Sequence, residues 1–267
     1  MAEIRARGII IKQSDYGEGH RMLTVFTEEY GIVKAVSYGV KKSKSKAAAS
    51  SQLCFLAARQ TEVVRTLAAS SQVLCYGDFD FYKGVGKDIM TINNIDTLDG
   101  FYPVSEDIKK LSLCVYLADI TYCILGMNNP DSRMLHLFLN SVYALAYRDE
   151  PMDKVKAVYE LKMMSIGGYS PQLNACVSCG SNEVYAFDLL KGGSVCRACG
   201  GKYIVKLDKN LYRALDYIIY SDDKKMLSFN ASDGLMKLLC KIAEQYVELQ
   251  LDQKFSSLDY YKTMLTM

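Results

Sequence analysis

The sequence predicts an α+β chain in two parts: a small closed five-stranded β-barrel over residues 1–100, and an all-α domain over 101–267. Embedded in the second part, at about 174–206, is a four-cysteine, zinc-ribbon-like module. Three observations predict this. Short β-branched and aromatic runs separated by glycines fill the first hundred residues, the apolar period lengthens to helical spacing after Pro103, and two Cys-x-x-Cys-Gly knuckles interrupt the helical half.

The strands come in order. Ile4 to Lys12 holds the run Ile9-Ile10-Ile11, Met22 to Thr27 alternates Leu, Val and Phe, and Ile32 to Tyr38 alternates Ile-Val-Lys-Ala-Val. Gly17 and Gly19 separate the first two, and Tyr30-Gly31 is a tight hairpin signal before the third. Val73 to Tyr82 and Asp88 to Ile95, joined through Gly84-Val85-Gly86, supply the fourth and fifth strands of a small barrel. Between strands three and four, Ala49-Ser50-Ser51-Gln52-Leu53-Cys54 returns as Ala69-Ser70-Ser71-Gln72-Val73-Leu74-Cys75. Two copies do not make a solenoid, so residues 47–71 are expected to be an insertion or local duplication in a barrel loop.

Helices follow. Ser105 is expected to cap the first, with Glu106 and Asp107 at the positive end of its dipole and Leu111, Val115, Ala118 and Tyr122 on its apolar stripe. The next should run from Asp131 to Tyr147, and a third from Pro151 to Gly167-Gly168, burying Val155, Val158, Leu161 and Met164. Two more are expected at Lys209 to Tyr220 and from Ser232 or Asp233 to Gln250.

Composition excludes several classes. With half of its residues hydrophobic and 23% charged the chain can fill real cores, which argues against disorder. The longest nearly uncharged stretch, Leu111 to Met127, carries Asp119 and is short for a bilayer span. The N-terminus lacks an apolar signal region, so a cytoplasmic protein is expected. Nine cysteines in so long a chain fit reduced thiols and metal ligation better than a disulfide scaffold.

The cysteine pattern carries chemistry. Cys176-Val-Ser-Cys179-Gly180 and Cys196-Arg-Ala-Cys199-Gly200 are separated by a length suited to a hairpin, so four thiolates can converge on one tetrahedral zinc ion. A redox dithiol pair is the alternative. Four protein ligands leave no open position for water, which makes the metal structural, and the polar surroundings imply that it folds the module. Cys54, Cys75, Cys114, Cys123 and Cys240 read as buried small hydrophobes.

Positive charge is concentrated at the front. From Met1 to Lys46 there are nine Lys or Arg against five acids, and the run Lys41-Lys42-Ser43-Lys44-Ser45-Lys46 follows the third strand. A solvated loop is the plain reading of such a run. Arg5, Arg7, Lys12, Arg21 and Lys34 on neighbouring strands, with Tyr16 and Tyr38 as stacking faces, favour a groove for single-stranded nucleic acid on a barrel of the oligonucleotide-binding (OB) kind. No phosphate-binding loop is present, because Gly84-Val85-Gly86-Lys87-Asp88 lacks the outer Gly and the Ser or Thr. His136 is expected to be packed on its helix and His20 to lie at a strand edge, so no enzyme is predicted.

The block Gly8-Ile9-Ile10-Ile11-Lys12, Asp15-Tyr16-Gly17-Glu18, Arg21 and Thr24-Val25-Phe26-Thr27-Glu28-Glu29-Tyr30-Gly31, then Gly39 and the lysine run, resembles the start of the bacterial RecO family. The helical domain and cysteine knuckles occur in that family's order. The resemblance implies a mediator of DNA repair and homologous recombination that binds single- and double-stranded DNA and anneals complementary strands. It would act with RecR, the C-terminal tail of single-strand-binding protein and, indirectly, RecA, in the cytoplasm at the nucleoid. It also implies DNA contacts by Arg21, Lys41, Lys42, Lys44 and Lys46 and zinc ligation by Cys176, Cys179, Cys196 and Cys199, while segment 47–71 departs from the expected pattern. Two rivals stand beside this reading: a zinc-ribbon assembly adaptor without DNA binding, and a metal hydrolase, which would need an open zinc position.

Overall fold

A computed structural model of the chain describes residues 2–38 and 70–267. Five strands, β1 (Ala2–Tyr16), β2 (His20–Thr27), β3 (Gly31–Ser37), β4 (Tyr76–Lys83) and β5 (Met90–Asp99), close into a barrel in the order β1-β2-β3-β5-β4. All neighbours are antiparallel except β3 and β5. The long β1 makes closure possible: its first half pairs with β4 and its second half with β2, the latter ladder carrying a bulge at Ile11. Ala6, Ile10, Leu23, Val25, Val33, Ala35, Phe79, Phe81, Ile92 and Ile95 alternate inward as the barrel core, the period-2 pattern expected of half-buried strands.

The chain divides into two compact units. One holds the barrel, with residues to Glu106 and also Leu125–Leu135. That returning segment forms a bridge from Met127 to Ile32, and the Asn128 N–H donates to the Ile32 carbonyl at 2.9 Å. It explains Gly31 twice over. The residue has φ +67°, and a Cβ there would run into the backbone of Asn129.

The other unit holds residues 107–124 and 136–267. A short helix α1 (Tyr102–Ser105) precedes α2 (Ile108–Leu125), α3 (Ser132–Tyr147) and α4 (Met152–Ile166), and α5 (Lys209–Tyr220), α6 (Asp233–Leu251) and α7 (Ser256–Thr266) close the chain. Ser105 is not a cap. It ends α1, and the Asp107 carboxylate instead accepts from the backbone N–H groups of Lys109 and Lys110. Of the expected apolar stripe of α2, Ala118 is buried, Leu111 and Val115 are partly so and Tyr122 is exposed, whereas Leu113, Cys114, Tyr116, Leu117, Ile120 and Thr121 are also buried, a face too broad for one stripe. Helices α1 and α7 are not anticipated by the sequence reading. His136 lies on the exposed side of α3, correcting the packed position expected from its apolar neighbours.

An ionic cluster ties the helices of this unit. The Tyr116 hydroxyl of α2 donates to Glu160 of α4 at 2.6 Å, Lys156 Nζ lies 2.8 Å from Glu160 and 3.2 Å from Glu244 of α6, and Lys262 of α7 also pairs with Glu244. Desolvation pushes the Glu160 carboxyl up, against the lowering pull of Lys156 and Tyr116.

Candidate functional site

Between α4 and α5 the chain forms a three-stranded sheet, β6 (Ala186–Asp188), β7 (Gly193–Val195) and β8 (Ile204–Lys206), in the order β7-β6-β8. The expected hairpin is there. Asp188 shapes its turn by accepting from the N–H groups of Leu190 and Lys191 and, at its second oxygen, from Gly201. The two knuckles flank the sheet and bring the sulfurs of Cys176, Cys179, Cys196 and Cys199 within 4.8 Å of one another.

The donor set fits a tetrahedral ion. Zn–S bonds of about 2.3 Å at tetrahedral angles require sulfurs about 3.8 Å apart, and Sγ of Cys179 and Cys196 are 3.8 Å apart. The charge pattern fits as well. Backbone N–H donation, led by that of Cys196, draws the Cys176 thiol down to about 6, whereas hydrogen bonds with Cys196 and Cys179 push the Cys199 thiol up to about 12. One thiolate is favoured and its neighbours resist a second negative charge; a bound divalent cation removes that conflict. Lys191 braces the knuckles by donating to Ser178 Oγ at 3.0 Å and to the Cys199 carbonyl at 2.8 Å.

The module also packs on a helix of its own unit. Phe187 is fully buried with its ring 5.7 Å from that of Tyr246 on α6, and Gln250 Nε2 donates to the carbonyls of Leu189 and Leu190. Of the remaining cysteines, Cys75 and Cys114 are buried as expected, Cys123 and Cys240 are only partly so, and Cys54 lies outside the described residues.

On the barrel the predicted DNA-contacting cations separate by wall. Arg7 pairs with Asp78 at 2.8 Å, and Arg5 reaches Asp78, Asp80 and Asp96 at 3.6, 3.8 and 3.2 Å. Their charge is returned to acids on β4 and β5. The Arg7 hydrogen bond holds the Asp78 carboxyl below its ordinary range. On the β1-β2-β3 wall the register differs: Lys12 faces Thr24, and Thr24 faces Lys34, so both lysines stand in one outward cross-strand row. Both are exposed, and neither has an ion pair among the described residues. Lys12 was outside the strongest sequence candidates, because only the register reveals its row. Arg21, in contrast, follows the inward parity of Leu23 and donates to the Ser71 carbonyl at 3.3 Å, at the point where the described chain re-enters the barrel. Tyr16 and Tyr38 expose their rings, and Tyr38 meets His20, the first residue of β2, edge-on at 4.8 Å. Lys41, Lys42, Lys44 and Lys46 lie outside the described residues, as does segment 47–71 apart from Ser70 and Ser71, which are buried barrel residues.

Comparison with known proteins finds a family model for each half of the chain. The model of the Recombination protein O N-terminal region matches residues 1–62, and that of its C-terminal region matches 105–259. The N-terminal match ends at residue 62, within segment 47–71. DNA repair protein RecO of Acetivibrio thermocellus is 31% identical, covering 99% of this chain and 98% of that protein. RecO of Alkaliphilus metalliredigens is 26% identical over 97% and 98%, and RecO of Thermoanaerobacter sp. is 27% identical over the full length of both. With two family models spanning most of its length and relatives aligned from end to end, the chain belongs to the RecO family of DNA repair proteins.

Proposed function

We propose that this protein works in DNA repair and recombination as a mediator that makes and breaks no covalent bond. It binds single- and double-stranded DNA and anneals complementary strands by neutralising two phosphate chains at once. The observation that carries this reading is the uncommitted lysine row on the β1-β2-β3 wall, Lys12 and Lys34, beside exposed Tyr16 and Tyr38 and ahead of the Lys41–Lys46 run in sequence. Arg21 holds the rim of the same wall. Arg5 and Arg7 contribute less, because phosphate would have to compete with Asp78, Asp80 and Asp96 for them.

The metal is a single structural Zn2+ held by Cys176, Cys179, Cys196 and Cys199. Four sulfur ligands supply no site for an activated water, which weighs against a hydrolase. Partners follow from family membership: RecR, the tail of single-strand-binding protein, and RecA through them, in the cytoplasm at the nucleoid. No helix among the described residues is long and apolar enough to cross a membrane.

Annealing of complementary labelled oligonucleotides tests the reading. Alanine at Lys41, Lys42, Lys44 and Lys46 together should suppress annealing and flatten the dependence of log affinity on log salt by about 3, at roughly 0.7 per phosphate on a single strand. Unchanged annealing and slope reject the loop's role. An adaptor that binds only proteins would give no DNA shift even in dilute buffer.

A further inference from the structure

The sulfurs of the cysteine quartet differ in access, and that difference carries a chemistry beyond metal binding. Cys176 is buried at 2% exposure against Ala186 and Val195, Cys196 and Cys199 are partly buried, and Cys179 is exposed. An oxidant in solution attacks the sulfur it can reach, so Cys179 is the point of entry. Its Sγ lies 3.8 Å from that of Cys196, which belongs to the other knuckle. The other described cysteines compete poorly. Cys75 and Cys114 are buried, and burial pushes up the thiols of Cys123 and Cys240, the latter to about 12.

Backbone bonds bring the two knuckles together at this pair. The Gly180 N–H donates to the Cys176 carbonyl at 2.8 Å and closes the first turn; the Cys199 N–H donates to the Cys196 carbonyl at 3.2 Å and closes the second. The Val177 N–H reaches the Ser194 carbonyl of β7 at 2.9 Å, which laces the first knuckle to the strand that ends one residue before Cys196. A bond between Cys179 and Cys196 therefore joins the same two elements that the four-sulfur site joins. A bond inside either knuckle would close only a turn that already has its own hydrogen bond, and would leave the knuckles unlinked.

We propose that Cys179 and Cys196 form a peroxide-modification site: oxidation links them in a disulfide, releases the metal, and keeps the module folded by exchanging an ionic cross-link for a covalent one. The inference rests on the zinc reading above. Cys179 Sγ attacks one oxygen of hydrogen peroxide, the O–O bond breaks, and hydroxide leaves a sulfenic acid behind. Cys196 Sγ then attacks the sulfenyl sulfur, the S–O bond breaks, and a second hydroxide leaves as the S–S bond forms. Two protons turn the hydroxides into water, and the two electrons that reduce the peroxide come from the two sulfurs. The sulfurs close from 3.8 Å to about 2.0 Å as they bond. Cys176 and Cys199 alone cannot complete a tetrahedral shell, so the ion departs.

The test treats the full, reduced, zinc-loaded chain with hydrogen peroxide beside a chromogenic zinc indicator, with an untreated control. One Zn2+ per chain should appear in step with the loss of two thiols, and peptide mapping should find Cys179 joined to Cys196. Hydrogen exchange separates this from simple metal loss: residues 174–206 should keep their protection in the oxidised chain and lose it in a reduced chain stripped by a chelator. If metal analysis finds no zinc in the reduced chain, the zinc reading fails and this inference with it. If zinc is bound but peroxide leaves it in place, or links Cys176 to Cys179 or Cys196 to Cys199, the modification site alone is overturned. Protection lost on oxidation, or kept equally in the chelated chain, overturns the structural role of the cross-link.

Discussion

Replacing Lys156 by Met should destabilise the helical unit by about 3–5 kcal/mol. Lys156 is 4% exposed and Glu160 fully buried, and the ammonium is held 2.8 Å from Glu160 and 3.2 Å from Glu244. Met keeps most of the volume of the side chain and removes two charge-assisted bonds, each contributing about 1.5–3 kcal/mol. That range overlaps the cost of about 3–5 kcal/mol for removing one partner of a buried pair. Glu160 would keep only the Tyr116 hydroxyl, and its Oε2 already lacks a partner among the described residues. The loss should depend on pH with a definite sign. Burial raises the Glu160 carboxyl, and without Lys156 it rises further; a carboxyl raised in the folded state costs stability where it is ionised and ceases to do so as pH falls through its folded value. Urea unfolding followed by helical circular dichroism, at neutral and mildly acidic pH, measures both. A loss below about 1 kcal/mol at neutral pH, or one that grows on acidification, would refute the reasoning. Lys156→Met with Glu160→Leu should recover much of the stability, because no charge is then left buried alone.

Three further predictions concern the other unit and the metal. Cys179→Ser, or chelation of the wild-type protein, should strip hydrogen-exchange protection from residues 174–206 and leave the barrel strands protected; retained protection would mean that Phe187 against Tyr246 suffices to hold the module. Gly31→Ala should cost at least about 2 kcal/mol in chemical denaturation, since it combines a positive φ with a clash against Asn129, whereas alanine at Gly86, which has open space around its Cβ position, should cost less. Asp78 contributes stability above the ordinary carboxylate pKa, lost as pH falls through its depressed folded value, so Arg7→Ala should lessen the acid sensitivity of the barrel; an unchanged acid limb in a pH titration would remove that ion pair from the account.

Local chemistry explains how much the sequence could reveal. The barrel strands were legible because each pairs within a hairpin or carries its own alternation, as in Leu23, Val25, Val33 and Ala35. The cysteine site was legible because all of its ligands sit in two short knuckles. What failed needed the third dimension. Ser105 read as the cap and Asp107 only as a first-turn acid, and only the turn after α1 puts Asp107 in the capping place. His136 sits among apolar residues in sequence but on the outer face of its helix. The fate of each arginine was hidden for the same reason: nothing near Arg5 or Arg7 in sequence announces Asp78, Asp80 and Asp96, which arrive through the β1–β4 and β4–β5 registers. Lys12 and Lys34 became a row only once Thr24 was seen between them.

The most direct test of the account is the salt dependence of single-stranded DNA binding by the full chain, compared between Lys12→Ala/Lys34→Ala and Arg5→Ala/Arg7→Ala. The account predicts a slope flattened by about 1.4 for the lysine pair, two phosphates at roughly 0.7 each, and a slope close to wild type for the arginine pair. Equal flattening by both pairs, or by the arginines alone, would contradict it.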